Sequence, residues 1–60
     1  MPVVEISMAK RTLEQKRAVA KRVTDVLVEE LNVDPGAITI LFYELQKEDI
    51  AKKGCLLSES

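Results

Sequence analysis

Two segments with the side-chain period of a β-strand flank one long segment with the period of an α-helix, and that order leaves few folds open. From Val3 to Met8 the side chains alternate, Val4, Ile6 and Met8 on one side and Val3, Glu5 and Ser7 on the other. A period of two is that of a half-buried strand. Lys10 and Arg11 interrupt it. Thr12, followed three residues later by Gln15, has the spacing of a capping box, so a helix opens there. Leu13, Ala20, Val23, Leu27 and Leu31, with Val19 and Val26 beside them, predict one apolar stripe. Lys16, Arg17, Lys21, Arg22, Asp25, Glu29 and Glu30 are expected on the rest of the surface. Asn32 suits a left-handed stop, and Asp34-Pro35-Gly36 is turn chemistry that permits one helical turn beginning at Pro35. Ile38 to Leu45 is β-branched and aromatic, apolar on both faces, as in an interior strand.

Strands joined by so long a helix pair in parallel, through a right-handed crossover. The expected fold is therefore α/β, a single domain over residues 1–60. It is one β-α-β unit with parallel strands and a short C-terminal hairpin or tail from Gln46 to Ser60, which carries Gly54 and the apolar triplet Cys55-Leu56-Leu57. A lone unit of this kind leaves both strands with an open edge, which the tail of a neighbour can cover.

Size adds a second constraint. A chain of 60 residues buries only about 60% of the surface its unfolded form exposes. With 47% hydrophobic residues, no histidine and one cysteine, neither a disulfide nor an ordinary metal staple is available. Self-association is the remaining support, and a symmetric homo-oligomer is expected. The net charge of −1 predicts no general attraction to nucleic acid or to an anionic membrane. No apolar run approaches the 18 or so residues of a membrane span, no signal peptide is readable, and a single Cys55 fits a reducing, cytoplasmic compartment.

The same composition narrows the chemistry. Ser-His-Asp, Cys-His and ordinary zinc sites are excluded within the chain, and two glycines, Gly36 and Gly54, make no phosphate-binding loop. No cofactor is expected. The six basic residues between Lys10 and Arg22 decorate the helix without interleaved aromatics for stacking. Glu14, Asp25, Glu29, Glu30, Glu48 and Asp49 read as solvated charges, whereas Glu44, inside a strand, suits an ion pair or hydrogen bond. Two features stand apart. Lys10 and Arg11 occupy the loop before the helix cap, where a guanidinium can hold a ligand carboxylate in bidentate geometry. Pro2 becomes a free secondary amine once Met1 is removed, able to act as base or nucleophile. The reference value for an α-amino group is about 7.7 to 8.0, and apolar surroundings lower it toward the neutral range where a general base works best.

Pro2, the strand after it, Arg11-Thr12-Leu13-Glu14-Gln15-Lys16, the long helix and the second strand ending in Tyr43-Glu44 resemble the 4-oxalocrotonate tautomerase family. The resemblance runs from Pro2 to about Leu57. It implies β-α-β subunits that pair into dimers and assemble as hexamers, and an N-terminal proline that shuttles a proton between carbon and oxygen. The family's first substrate-binding arginine maps onto Arg11, in a loop one residue shorter. Its second arginine, supplied by a neighbouring subunit, falls at Thr39, and its aromatic residue beside the proline falls at Ile50. Ile50 can still desolvate an amine. Thr39 cannot replace a guanidinium, which removes a charge-assisted bond of about 1.5 to 3 kcal/mol. Where the family has several glycines, this chain reads Ala51-Lys52-Lys53-Gly54.

The expected function is thus that of a cofactor-independent tautomerase acting on a small enol or keto acid, with Pro2 as general base and Arg11 on the substrate carboxylate. Two other readings are open. One is a non-catalytic oligomer on the same fold with a decayed pocket at Thr39 and Ile50. The other is a strand-helix-helix DNA-binding dimer, which needs a second helix where Ile38 to Leu45 stands.

Overall fold

A computed structural model describes residues 2–59 of the chain. Strand β1 (Val3–Ala9) leads through Lys10–Thr12 into helix α1 (Leu13–Leu31), and strand β2 (Thr39–Leu45) follows. β1 and β2 pair in parallel, Val3 opposite Thr39 and Ala9 opposite Leu45. A separate two-residue antiparallel pair, β3 (Ala51–Lys52) and β4 (Cys55–Leu56), forms the expected C-terminal hairpin.

The helix begins and ends on local signals. Thr12 Oγ1 accepts the Gln15 backbone N–H at 3.1 Å, and Gln15 Oε1 accepts that of Thr12 at 3.1 Å, which closes the capping box. At the other end Asn32 takes left-handed angles (φ 53°, ψ 49°) and its N–H donates to the Val28 carbonyl at 3.0 Å. Asp34 Oδ2 accepts the Gly36 N–H at 2.9 Å, and a 3₁₀ turn at Pro35–Ala37 leads into β2. In the hairpin, Lys53 (φ 53°) and Gly54 (φ 80°) both have positive φ. Two such residues make the tight turn whose twist matches antiparallel strands.

Exposure along β1 alternates as expected, with Val4, Ile6 and Met8 half-buried and Val3, Glu5 and Ser7 exposed. Their register partners Ile40 and Phe42 are also half-buried, so this side of the sheet faces α1. The helix meets it with Lys16, Ala20, Val23, Thr24, Leu27 and Val28. Two expectations change here. Lys16 lies on the sheet-facing stripe rather than on the outer surface, with Nζ 3.0 Å from Glu44 Oε2. Leu13 and Leu31, expected in the stripe, are 63% and 53% exposed. A helix of 19 residues is about 28 Å long at 1.5 Å per residue, whereas strands of seven span about 23 Å. The helix overhangs the sheet, and its first and last leucines are at the ends.

The opposite side of the sheet carries Val3, Leu41, Tyr43 and Leu45, all substantially exposed, and Val19 and Val26 are exposed on the helix. Among the described residues no side chain is fully buried. The chain exposes 5027 Å², where a folded monomeric protein of 6.7 kDa exposes about 3,900 Å². Its radius of gyration is 14.8 Å, against about 10 Å for a compact domain of this length. These apolar surfaces are left over after the chain has folded on itself.

Candidate active site

Pro2 stands immediately before β1, half-buried, and its carbonyl accepts the Thr39 N–H at 3.0 Å. That bond is part of the parallel ladder at the Val3–Thr39 pair. The start of the chain is therefore held against β2 rather than left to fray. Removal of Met1 lies outside the described residues. Thr39 is half-buried at the same end of the sheet, so the structure brings Pro2 and Thr39 together.

Arg11 is at the other end. It is exposed in the loop between β1 and α1, and its Nη1 donates to the Lys10 carbonyl at 3.1 Å. With Lys10, Thr12 and Gln15 it lines an open depression of about 580 Å³. β1 has seven residues between Pro2 and this loop, which separates them by at least about 23 Å. An arginine side chain cannot cover that distance, so Pro2 and Arg11 of one chain do not share a site. Ile50 also follows the Arg11 end of the sheet. It comes after Leu45 through a 3₁₀ turn at Lys47–Asp49, is half-buried, and opens the hairpin, its carbonyl accepting the Leu57 N–H at 2.8 Å.

The electrostatics of the Arg11 end centre on Glu44. Its carboxyl is held below the ordinary value of 4.5, first by the hydrogen bond from Lys16, against an opposing effect of burial, and then by the Lys16 charge, the Arg11 backbone N–H and the Lys10 charge. Glu44 thus makes the ion pair its strand position suggested. Its partner was missed in the sequence because Lys16 is charged. Spacing was the available signal, since Lys16, Ala20, Val23 and Leu27 fall at intervals of three and four. Glu44 also shares a second depression with Lys10, Leu45, Gln46 and Lys47.

Among the described residues no group of three or more His, Cys, Asp or Glu side chains could hold a metal ion. Cys55 is exposed in the hairpin. No described helix is long and apolar enough to cross a membrane.

A two-stranded parallel β-α-β unit that opens on a proline tied into the sheet, with a basic loop before its helix and a short C-terminal hairpin, defines a small tautomerase-type subunit. The chain belongs to the tautomerase family, whose description is "Tautomerase enzyme" and which it matches over residues 2–59. It is 35% identical over 60 residues to a protein of Ralstonia nicotianae named a "Probable tautomerase", covering 98% of this chain and 92% of that one. A protein of Halalkalibacterium halodurans with the same description is 32% identical over 60 residues, with 98% of each chain covered. The crystal structure of YwhB, a homologue of 4-oxalocrotonate tautomerase, superposes with a TM-score of 0.90 at 32% identity, covering 98% of both chains. Tautomerase-type, isomerase chemistry is the activity of the family.

Proposed function

We propose that the chain is a cofactor-independent tautomerase of small enol or keto acids that works as an oligomer, with Pro2 as general base and Arg11 of another copy holding the substrate carboxylate. The observation that carries this reading is the tether between the Pro2 carbonyl and the Thr39 N–H at 3.0 Å. It fixes the backbone that bears the amine while leaving the nitrogen itself outside the ladder. After loss of Met1, neutral Pro2 takes the hydroxyl proton of an enol acid as the O–H bond breaks. The electron pair moves through the conjugated system, and the protonated amine returns a proton to carbon, so that a C–H bond and a carbonyl form. No net electron transfer occurs and the amine is regenerated. Arg11, on a carboxylate remote from the reacting bond, orients the acid through two charge-assisted hydrogen bonds.

Association brings the remote parts together. The exposed apolar side of the sheet, with Leu41, Tyr43 and Leu45, and the open strand edges supply surface for it. With Thr39 at the position the family resemblance gives to a second arginine, one carboxylate is anchored and not two, so monoacids are favoured over diacids. The departures at Thr39 and Ile50 also suit a non-catalytic oligomer on the same fold, and one experiment separates the two readings. Ketonisation of phenylenolpyruvate, a monoacid enol, is followed for the processed protein, for Pro2→Ala and for protein retaining Met1. Loss of the base should lower kcat by 10²- to 10⁴-fold, the usual contribution of general-base catalysis. Equal rates in all three proteins would remove Pro2 as the base, and rates equal to buffer in all three would favour the non-catalytic reading.

A further inference from the structure

The Arg11 loop follows β1 directly, and one ion pair joins the helix it enters to the end of β2. Within the loop, the Thr12–Gln15 capping box fixes the helix start, but it ties the loop only to α1. The guanidinium donates to the Lys10 carbonyl at 3.1 Å, so its direction follows the backbone of Lys10 and Arg11. Glu44 reaches the first turn of α1 from β2 through Lys16, whose backbone N–H donates to the Thr12 carbonyl at 3.1 Å. It lies opposite Met8 in the register, one step before the ladder closes at Ala9–Leu45, and Lys16 Nζ is 3.0 Å from its Oε2. The pair is partly shielded, with 24% of the Lys16 side chain and 40% of the Glu44 side chain exposed. Lys10 lines both the depression that contains Arg11 and the one that contains Glu44.

We propose that Glu44 is a positioning residue for Arg11: through Lys16 it fastens the first turn of α1, and with it the Thr12 end of the Arg11 loop, to the end of β2, and its pairing with Lys16 leaves no uncompensated negative charge beside a site that must accept an anion. The inference rests on the reading of Arg11 as the carboxylate anchor. Depression of the Glu44 carboxyl by Lys16, by the Arg11 N–H and by Lys10 agrees with this convergence. Without that ion pair the loop would be held by β1 and its helix cap alone, and the guanidinium would sample more directions. Tethering it beforehand reduces the ordering cost of binding. An unpaired carboxylate in place of the ion pair would also repel the substrate carboxylate, and salt would screen that repulsion.

Binding of phenylpyruvate by calorimetry to the intact oligomer, together with KM and kcat for phenylenolpyruvate, tests the assignment. Glu44→Leu should raise Kd and KM about 10-fold, the scale of one charge-assisted hydrogen bond, with kcat within about twofold. Glu44→Gln, whose amide oxygen still accepts a hydrogen bond, should recover to within about threefold of the parent. Lys16→Met should weaken binding at least as much as Glu44→Leu, and the loss should shrink at high salt. In an Arg11→Ala background the Glu44 substitutions should have no further effect, because they act through Arg11. Parent-like Kd and KM in Glu44→Leu, or a full loss that persists without Arg11, would overturn the positioning role while Arg11 stands. Parent-like binding in Arg11→Ala would instead remove the anchor, and the positioning role with it.

Discussion

If Pro2 and Arg11 of one chain are separated by the length of β1, two variants that are each inactive should restore one another when they share an oligomer. Pro2→Ala removes the base and leaves Arg11 intact, and Arg11→Ala does the reverse. β1 contains seven residues, which at about 3.3 Å each puts the two positions at least about 23 Å apart. A site that uses both must therefore take Pro2 from one copy and Arg11 from another. In a random equimolar mixture half of the copies supply an intact Pro2 and half of their neighbours an intact Arg11, so about one quarter of the sites are complete. Co-expression, or joint unfolding and refolding, followed by the phenylenolpyruvate assay should give about a quarter of parental kcat at saturating substrate. Each variant treated alone should show only its residual rate. A site built within a single chain predicts no restoration, because every chain carries one lesion. Mixed oligomers whose activity is the average of the two parents' residual rates, with mixing verified by mass spectrometry, would refute the shared site.

The remaining predictions concern association, the helix cap and acid. Leu41→Glu or Tyr43→Glu, on the exposed apolar side of the sheet, should raise the dissociation constant of the oligomer at least about tenfold, since an unpaired charge kept in an apolar interface costs several kcal/mol. Sedimentation at micromolar concentration reads this, and an unchanged assembly would show that this face is not in the interface. Thr12→Ala opens the capping box and should cost about 1 kcal/mol, a fall in Tm of roughly 4 to 8 °C for a chain of this size. An unchanged Tm would mean that the cap is redundant. Because the folded Glu44 carboxyl titrates below the ordinary 4.5, the stability it adds is present above that value and is lost as pH falls through the lower, folded value. Denaturant midpoints of parent and Glu44→Gln should therefore converge below pH 4.5, and a difference that stays constant through that range would rule out the ion pair as its source.

Most of the element order was legible because its signals are local. Alternation marked β1, a capping box spaced by three residues marked the start of α1, Asn32 marked its stop, and Asp34-Pro35-Gly36 marked the turn before β2. Each depends on side chains hydrogen-bonding or packing within a few residues of themselves, so each survives in the bare sequence. The resemblance to a tautomerase family was legible for the same reason, since Pro2 and the Arg11 to Lys16 run are contiguous or terminal signals. Glu44 was recognisable as a strand acid in need of a partner, but its partner was not.

Lys16 was assigned to solvent because a lysine in an amphipathic helix usually belongs there. Its long apolar stem lets it occupy the sheet-facing stripe while its ammonium reaches the strand end, and only the packing of α1 across β2 supplies a carboxylate at 3.0 Å. Leu13 and Leu31 follow the reverse logic. Helical period placed them in the stripe, but period carries no information on where a shorter sheet stops. Sequence by itself determined which residues form strands and helix, where the helix is capped, and that such a short chain leaves apolar surface uncovered. Tertiary structure alone decided the parallel register, which sets Thr39 against Pro2, Glu44 against Lys16, and the two halves of the candidate site at opposite ends of one sheet. Periodicity selects a face of each element, whereas the alignment of one element along another depends on contacts between residues far apart in the chain.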